Sequence, residues 1–155
     1  MAARLVSLRT GDARDVALVD ALMTAAFDPR FGEAWTRSQC LGVLAMPGVR
    51  LTLAAVDDVP AGFAMVRSVA DEAELLLLAV APPYRRRGIG GALLRAVIAE
   101  AQGSGIADLH LEVRAGNEAV QLYQAHGFAK VGERRSYYRG RGGESFDAHT
   151  YRRAV

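Results

Sequence analysis

The sequence predicts one α+β domain with a mixed, mostly antiparallel sheet and helices on both faces, and three observations carry that prediction. Apolar residues alternate at strand spacing in some segments and recur at helical spacing in others. Short polar turns separate three consecutive strands in the middle of the chain, which makes those strands antiparallel neighbours. A strand, a long amphipathic helix and a second strand then run from Glu74 to Val113, an order that requires a right-handed parallel crossover.

The elements follow in order. Arg4 to Leu8 alternates and reads as a strand, after which Asp12 caps a helix carrying Val16, Val19, Leu22, Met23 and Ala26, ended by Asp28-Pro29. Ala34 to Ala45 reads as a second helix, stopped by Pro47-Gly48. Strands at Val49 to Val56, Gly62 to Val69 and Glu74 to Val80 are divided by the turns Asp57-Asp58-Val59-Pro60 and Ala70-Asp71-Glu72. Gly88 to Gln102 carries Leu93, Leu94, Val97 and Ile98 on one face and stops at Gly103-Ser104-Gly105. A strand at Ala107 to Val113, a helix from Asn117 to His126, a strand from Phe128 towards Tyr138 and a last strand at Phe146 to Tyr151 complete the order β-α-α-β-β-β-α-β-α-β-β. No internal repeat and no linker breaks this pattern, so residues 1–155 read as one domain.

Composition excludes several classes. The lone Cys40 excludes an intramolecular disulfide and a Cys-rich zinc site, and His110, His126 and His149 lack ligand spacing, so no metal is expected. The longest strongly apolar run, Leu75 to Ala81, is far short of the roughly 18 residues that span a bilayer. The start shows no apolar stretch followed by a cleavage site, so a cytoplasmic protein without membrane contact is expected. With 19 Lys+Arg against 17 Asp+Glu the net charge is +2, too small to favour nucleic-acid binding. Lys130 is the only lysine, however, and arginine's planar fork suits phosphates and carboxylates.

The most informative stretch is Leu75 to Leu94, LLLLAVAPPYRRRGIGGALL. An apolar strand ends at Pro82-Pro83, and a turn with Arg85, Arg86, Arg87, Gly88, Gly90 and Gly91 opens into a helix. The first helical turn leaves backbone N–H groups unpaired and partly positive, glycines allow close approach, and the arginines add charge, so a pyrophosphate is the natural guest. A Walker A loop is ruled out because this stretch holds no lysine, and the dinucleotide fingerprint fails where it needs a third glycine and finds Leu93. The alternative is a solvated basic turn that merely starts a helix.

Val80-x-Pro82-x-Tyr84-Arg85-x-x-Gly88-x-Gly90, followed by an apolar helix, resembles the acyl-CoA signature of the GNAT superfamily of N-acetyltransferases, and the order of strands and helices is the one that family shows. Leu111-Glu112-Val113-Arg114-x-x-Asn117 with Leu122-Tyr123-x-x-x-Gly127-Phe128 resembles the later half of the same signature. These blocks, with Arg134-Arg135-x-Tyr137-Tyr138 and Asp147-Ala148, are most similar to ribosomal-protein-alanine N-acetyltransferases of the RimI type. The resemblance implies acetyl-CoA as cofactor and a peptide or protein N-terminus as acceptor, in that family the N-terminal alanine of a ribosomal protein. By position it implies Leu78, Ala79 and Val80 beside the pantetheine arm, and Arg86, Arg87, Gly88, Ile89, Gly90 and Gly91 at the pyrophosphate. It further implies Asn117 at the cofactor, Glu112 as general base and Tyr123 as general acid. The sequence departs from the family twice: Asn117 and Tyr123 are six residues apart instead of seven, and Ser145 and Phe146 are additional.

Read without the family, these residues keep alternatives. Glu112 faces opposite to Leu111 and Val113, and is either a half-buried base or a carboxylate paired with Arg114 on a wet face. Glu74 is a competing base. Tyr123 could be a packed aromatic, Asn117 a helix cap, Cys40 a small core residue, and Phe31 and Trp35 either packing or an acceptor wall. Tyr137 and Tyr138 would flank an acceptor backbone or serve as ordinary strand aromatics. The expected reaction is direct attack in a groove between the strands Glu74 to Val80 and Ala107 to Val113, with an N–H near Ala79 facing the developing oxyanion. An acetyltransferase of small-molecule amines and a non-catalytic acyl-CoA sensor remain open.

Overall fold

A computed structural model describes residues 5–155, so Arg4, the expected start of the first strand, lies outside the described residues. The strands are β1 (Val6–Gly11), β2 (Val49–Val56), β3 (Val59–Val69), β4 (Glu72–Val80), β5 (Asp108–Arg114), β6 (Ala129–Arg139) and β7 (Ser145–Ala154); the helices are α1 (Val16–Ala26), α2 (Arg37–Leu44), α3 (Ile89–Gly103) and α4 (Ala119–Ala125). They follow the predicted order and form one sheet, β1-β2-β3-β4-β5-β7-β6, in which β4 and β5 are the parallel pair.

Local chemistry explains where boundaries differ from expectation. The β2–β3 turn needs only Asp57 and Asp58, both left-handed at φ 49° and 68°, as a two-residue hairpin turn demands. Val59 and Pro60 therefore belong to β3, where the residue after Pro60 bulges out of the ladder. α2 starts three residues later than expected because Thr36 and Gln39 form a reciprocal capping box, each side chain bonding the other's backbone N–H at 3.1 and 2.8 Å. α4 starts after Asn117, whose Oδ1 accepts from the Ala119 N–H at 2.8 Å.

Each face of the sheet carries a core. Leu75, Leu93, Leu94, Leu109, Leu111 and Phe128 pack under α3, while Val19, Met23, Leu51, Phe63, Met65 and Leu77 pack under α1 and α2. Cys40 is fully buried in the second core, which raises its thiol pKa and keeps it inert. Leu75 and Leu77 are two apart yet enter opposite cores. The cause is a bulge: Val66 pairs with Leu75 and Met65 with Leu77, leaving Leu76 extra, so the facing of β4 reverses there. No helix among the described residues is long and apolar enough to cross a membrane.

Candidate active site

β4 and β5 pair only from Glu72–Asp108 to Leu75–Leu111. Beyond that point they part, because β5 continues against β7 up to Arg114 while β4 continues against β3 up to Val80. The fork begins at the Leu76 bulge and opens into a cleft of about 1210 Å³. Along its β4-side wall the β5-facing edge of residues 76–80 has no strand beside it, so its backbone groups can pair with an extended guest.

The fork leads to the start of α3. Pro82–Tyr84 forms a 3₁₀ turn, and Arg85 ties it down by donating to the Val80 carbonyl at 3.3 Å and the Ala26 carbonyl at 2.6 Å. Arg85 is thus a structural tether. Arg86 is left-handed at φ 60° and Gly88 at φ 79°, and no side chain caps α3, whose first turn faces the cleft. Leu78 to Val80, Arg86, Gly88 to Gly91 and Asn117 all line the cleft. Arg87 does not; its guanidinium lies 6.0 Å from the Tyr84 ring centroid.

The opposite wall is assembled from distant segments. Glu112, 17% exposed, faces the cleft from β5 and pairs with Arg134 Nε at 3.0 Å, not with Arg114. Arg114 instead donates to Glu33 Oε1 at 3.0 Å, and Asn117 Nδ2 donates to Glu33 Oε2 at 2.8 Å. Both amide groups of Asn117 are therefore engaged, one capping α4 and one holding Glu33. Glu33 is the site residue that sequence reasoning missed; only its neighbourhood to Phe31 and Trp35 pointed that way.

Glu74 lies across the fork from Glu112, and its carboxyl is raised above the usual range, first by burial and then by the negative charge of Glu112. Tyr123 reaches the cleft from α4 at 6% exposure. Burial, and to a lesser degree the charge of Glu33, raises its hydroxyl pKa. That keeps the hydroxyl protonated and makes it a weaker acid than the ordinary phenol. Tyr137 and Tyr138 also line the cleft, edge-to-face with centroids 5.0 Å apart. They sit at an irregularity of β6 between Arg134 and Tyr138, where Ser136 is left-handed at φ 52° and its N–H donates to Asp147 Oδ1 at 2.9 Å.

A clasp closes this wall. Arg114 stacks 3.7 Å from the Phe31 ring centroid, and Phe31 meets the additional Phe146 edge-on at 5.2 Å. Two glycines bring the backbones together: a Cβ on Gly32 would lie 2.1 Å from the Arg139 carbonyl oxygen, and one on Gly140 1.7 Å from that of Arg30. Any side chain there would force the α1–α2 loop away from the β6–β7 hairpin. Phe31 and Trp35 thus line the cleft and both also pack, Phe31 on Phe146 and Trp35 against the core under α1 and α2.

Residues 16–128 match the Acetyltransferase (GNAT) family. Over 79 residues the chain is 48% identical to [ribosomal protein bS18]-alanine N-acetyltransferase of Escherichia coli K12, covering 50% of this chain and 53% of that one. Over 83 residues it is 45% identical to N-alpha-acetyltransferase RimI of Mycobacterium tuberculosis, covering 53% and 49%. The matched stretch thus spans about half the length of these relatives. In three dimensions the chain is similar to the crystal structure of the ribosomal-protein-S18-alanine N-acetyltransferase from Escherichia coli, with a TM-score of 0.87, 29% identity, and coverage of 97% of this chain and 94% of the other.

Proposed function

The chain belongs to the acetyltransferase (GNAT) family, and from that premise we propose that it transfers acetyl from acetyl-CoA to the α-amine of a protein N-terminus, the N-terminal alanine of a ribosomal protein being the foremost candidate. The observation that carries the reading is the fork: one branch offers a free backbone edge leading to an uncapped helix start, and the other presents Glu112. The residues present fit the cofactor. Residues 76–80 supply backbone partners for amides, and the first turn of α3 with Arg86 supplies donors and positive charge for a pyrophosphate. The glycines keep that surface bare: a Cβ on Gly90 would already crowd Leu122 at 3.1 Å. Acetyl-CoA supplies the activated thioester carbonyl.

The chain's own groups then divide the work. Glu112 accepts the proton of the attacking amine, with Glu74 across the fork as the second candidate for that role. A backbone N–H of β4 near Ala79 faces the developing negative charge on the carbonyl oxygen. Tyr123 donates a hydrogen bond to the departing sulfur; with its pKa raised above that of a thiol, about 8.5, the sulfur leaves as a hydrogen-bonded thiolate that takes its proton from solvent. An α-amine with pKa about 7.7–8.0 is roughly a tenth neutral at pH 7, whereas a lysine near 10.4 is neutral less than a thousandth of the time, so a modest base suffices for an N-terminus. Tyr137 and Tyr138 flank the acceptor backbone.

The test is thiol release from acetyl-CoA with Ala-, Ser- and Met-initiated peptides, internal-lysine peptides, polyamines and aminoglycosides. Fastest release with Ala-initiated peptides is expected. Preference for a small amine would overturn the acceptor while keeping the acetyltransferase, and tight cofactor binding with no release for any amine would make the protein a sensor.

A further inference from the structure

We propose that the outer side of α3, the end of α4 and β7 together form a second anion site, one that binds a phosphomonoester dianion through Arg95, Arg153 and His126. The three residues line a cavity of about 470 Å³, completed by Gln102, Gly127 and an apolar floor from α3. No carboxylate lines it. Among the described residues no ion pair joins Arg95 or Arg153, although Arg50, Arg152 and Lys130 have acidic partners. Arg153 Nη1 is buried with no hydrogen-bond partner, a state that native structures rarely leave uncompensated.

The surroundings hold these groups ready. Gly127 is left-handed at φ 86°, which favours glycine, and the position a Cβ would take there lies 3.0 Å from Arg153 Nε, so the Arg153 side chain runs close to the end of α4. His126 Nδ1 lies 2.9 Å from the Leu122 carbonyl and must carry a hydrogen to donate to it. Nε2 is left as the ring's other polar atom. Arg95 is exposed and folds back along its helix until Nη1 lies 2.9 Å from where a Cβ of Gly91 would be. Its guanidinium thus stands beside the first turn of α3, between the cavity and the pyrophosphate cradle. Two arginines and a histidine lining one cavity without a carboxylate suit a doubly charged phosphoryl group better than a carboxylate.

Such a group has two sources: the 3′-phosphate of bound coenzyme A, in which case the inference rests on the cofactor reading above, or a separate phosphorylated small molecule. Calorimetry with coenzyme A and with dephospho-coenzyme A, together with inorganic phosphate titrated while the His126 ring is followed by NMR, distinguishes them. For the first source the chain binds coenzyme A at least about tenfold tighter than the dephospho form, the scale of one charge-assisted hydrogen bond. In Arg95→Gln that ratio falls to near one while affinity for the dephospho form is unchanged. Equal affinity for both forms, with a phosphate-induced His126 shift that Arg95→Gln or Arg153→Gln abolishes, supports the site with the second source. If neither coenzyme binds but phosphate still moves His126, the cofactor reading fails and the site stands. Equal affinities with no phosphate response overturn the site. Arg95 is exposed, so Arg95→Gln decides the matter even if Arg153→Gln fails to fold.

Discussion

The two walls of the cleft are built in different ways. The cofactor-side wall is one continuous stretch from Leu76 to Gly91, and its polar groups are mostly backbone: a free strand edge, a left-handed glycine and an uncapped helix start. The acceptor-side wall draws side chains from the α1–α2 loop, the end of β5, the start of α4 and the β6–β7 hairpin, held together by Glu33, Arg114, Phe31 and Phe146. A backbone wall recognises what every guest of one class shares. A side-chain wall can be altered residue by residue without disturbing the first, which is how one fold serves many acceptors.

The largest expected effect falls on the acceptor side alone. Glu112→Gln lowers turnover about a hundredfold or more, the usual scale of general-base catalysis, with acetyl-CoA affinity unchanged by calorimetry. If Glu112→Gln keeps its rate and Glu74→Gln loses it, the base sits on the other branch of the fork. Gly88→Val is the converse experiment. Nothing lies within 4 Å of a Cβ at Gly88, so the cost comes from forcing a β-branched residue to φ 79°. Relief of that strain, roughly 1–3 kcal/mol, moves the turn that opens α3, so acetyl-CoA binding is expected to weaken about tenfold in a folded protein, and an unchanged dissociation constant would show that this turn is not where the cofactor sits.

Glu33→Gln probes the clasp. Loss of the charge held by Arg114 and Asn117 costs about 2 kcal/mol, read as a Tm lower by roughly 4–8 °C. A several-fold higher acceptor KM is expected, with unchanged acetyl-CoA affinity. A selective loss of cofactor affinity would instead return Asn117 to the cofactor. The smallest effect is a pH dependence. A carboxyl raised in the folded state binds its proton more tightly there than in the unfolded chain, so stability falls as pH rises from the ordinary carboxylate range through the raised value. Glu74→Gln removes that loss: denaturant titrations should show the variant more stable than its parent at neutral pH, with the advantage gone in acid. Solvent at the mouth of the cleft keeps the difference small.

The same contrast governs what could be read from the sequence. The order of elements, the crossover and the Arg86 to Gly91 turn were legible because local pattern decides them. The register of β4 was not, since four consecutive leucines from Leu75 to Leu78 look alike whichever way they face and conceal the bulge at Leu76. The capping box at Thr36 and Gln39 was present in the sequence but outweighed by the helical look of Ala34 and Trp35. Glu33 was illegible for a different reason: its partners Arg114 and Asn117 are far along the chain. Only the additional Phe146 hinted that the hairpin had acquired a new neighbour, and it identified neither Phe31 nor the glycine contacts beneath it.

The fork also bears on the timing of assembly during synthesis. Past Leu111, β5 has lost β4 as a neighbour, and the backbone at Glu112 is held laterally by Thr150 of β7. The start of α3 leaves the ribosome before β5, β6 and β7, after β3, β4 and the Ala26 carbonyl that Arg85 holds. The segment bearing Glu112 must wait for nearly the whole chain before its supporting strand arrives. A nascent chain therefore completes the uncapped start of α3 before it completes a rigid support for Glu112, and under the proposed function the ability to bind matures ahead of the ability to react.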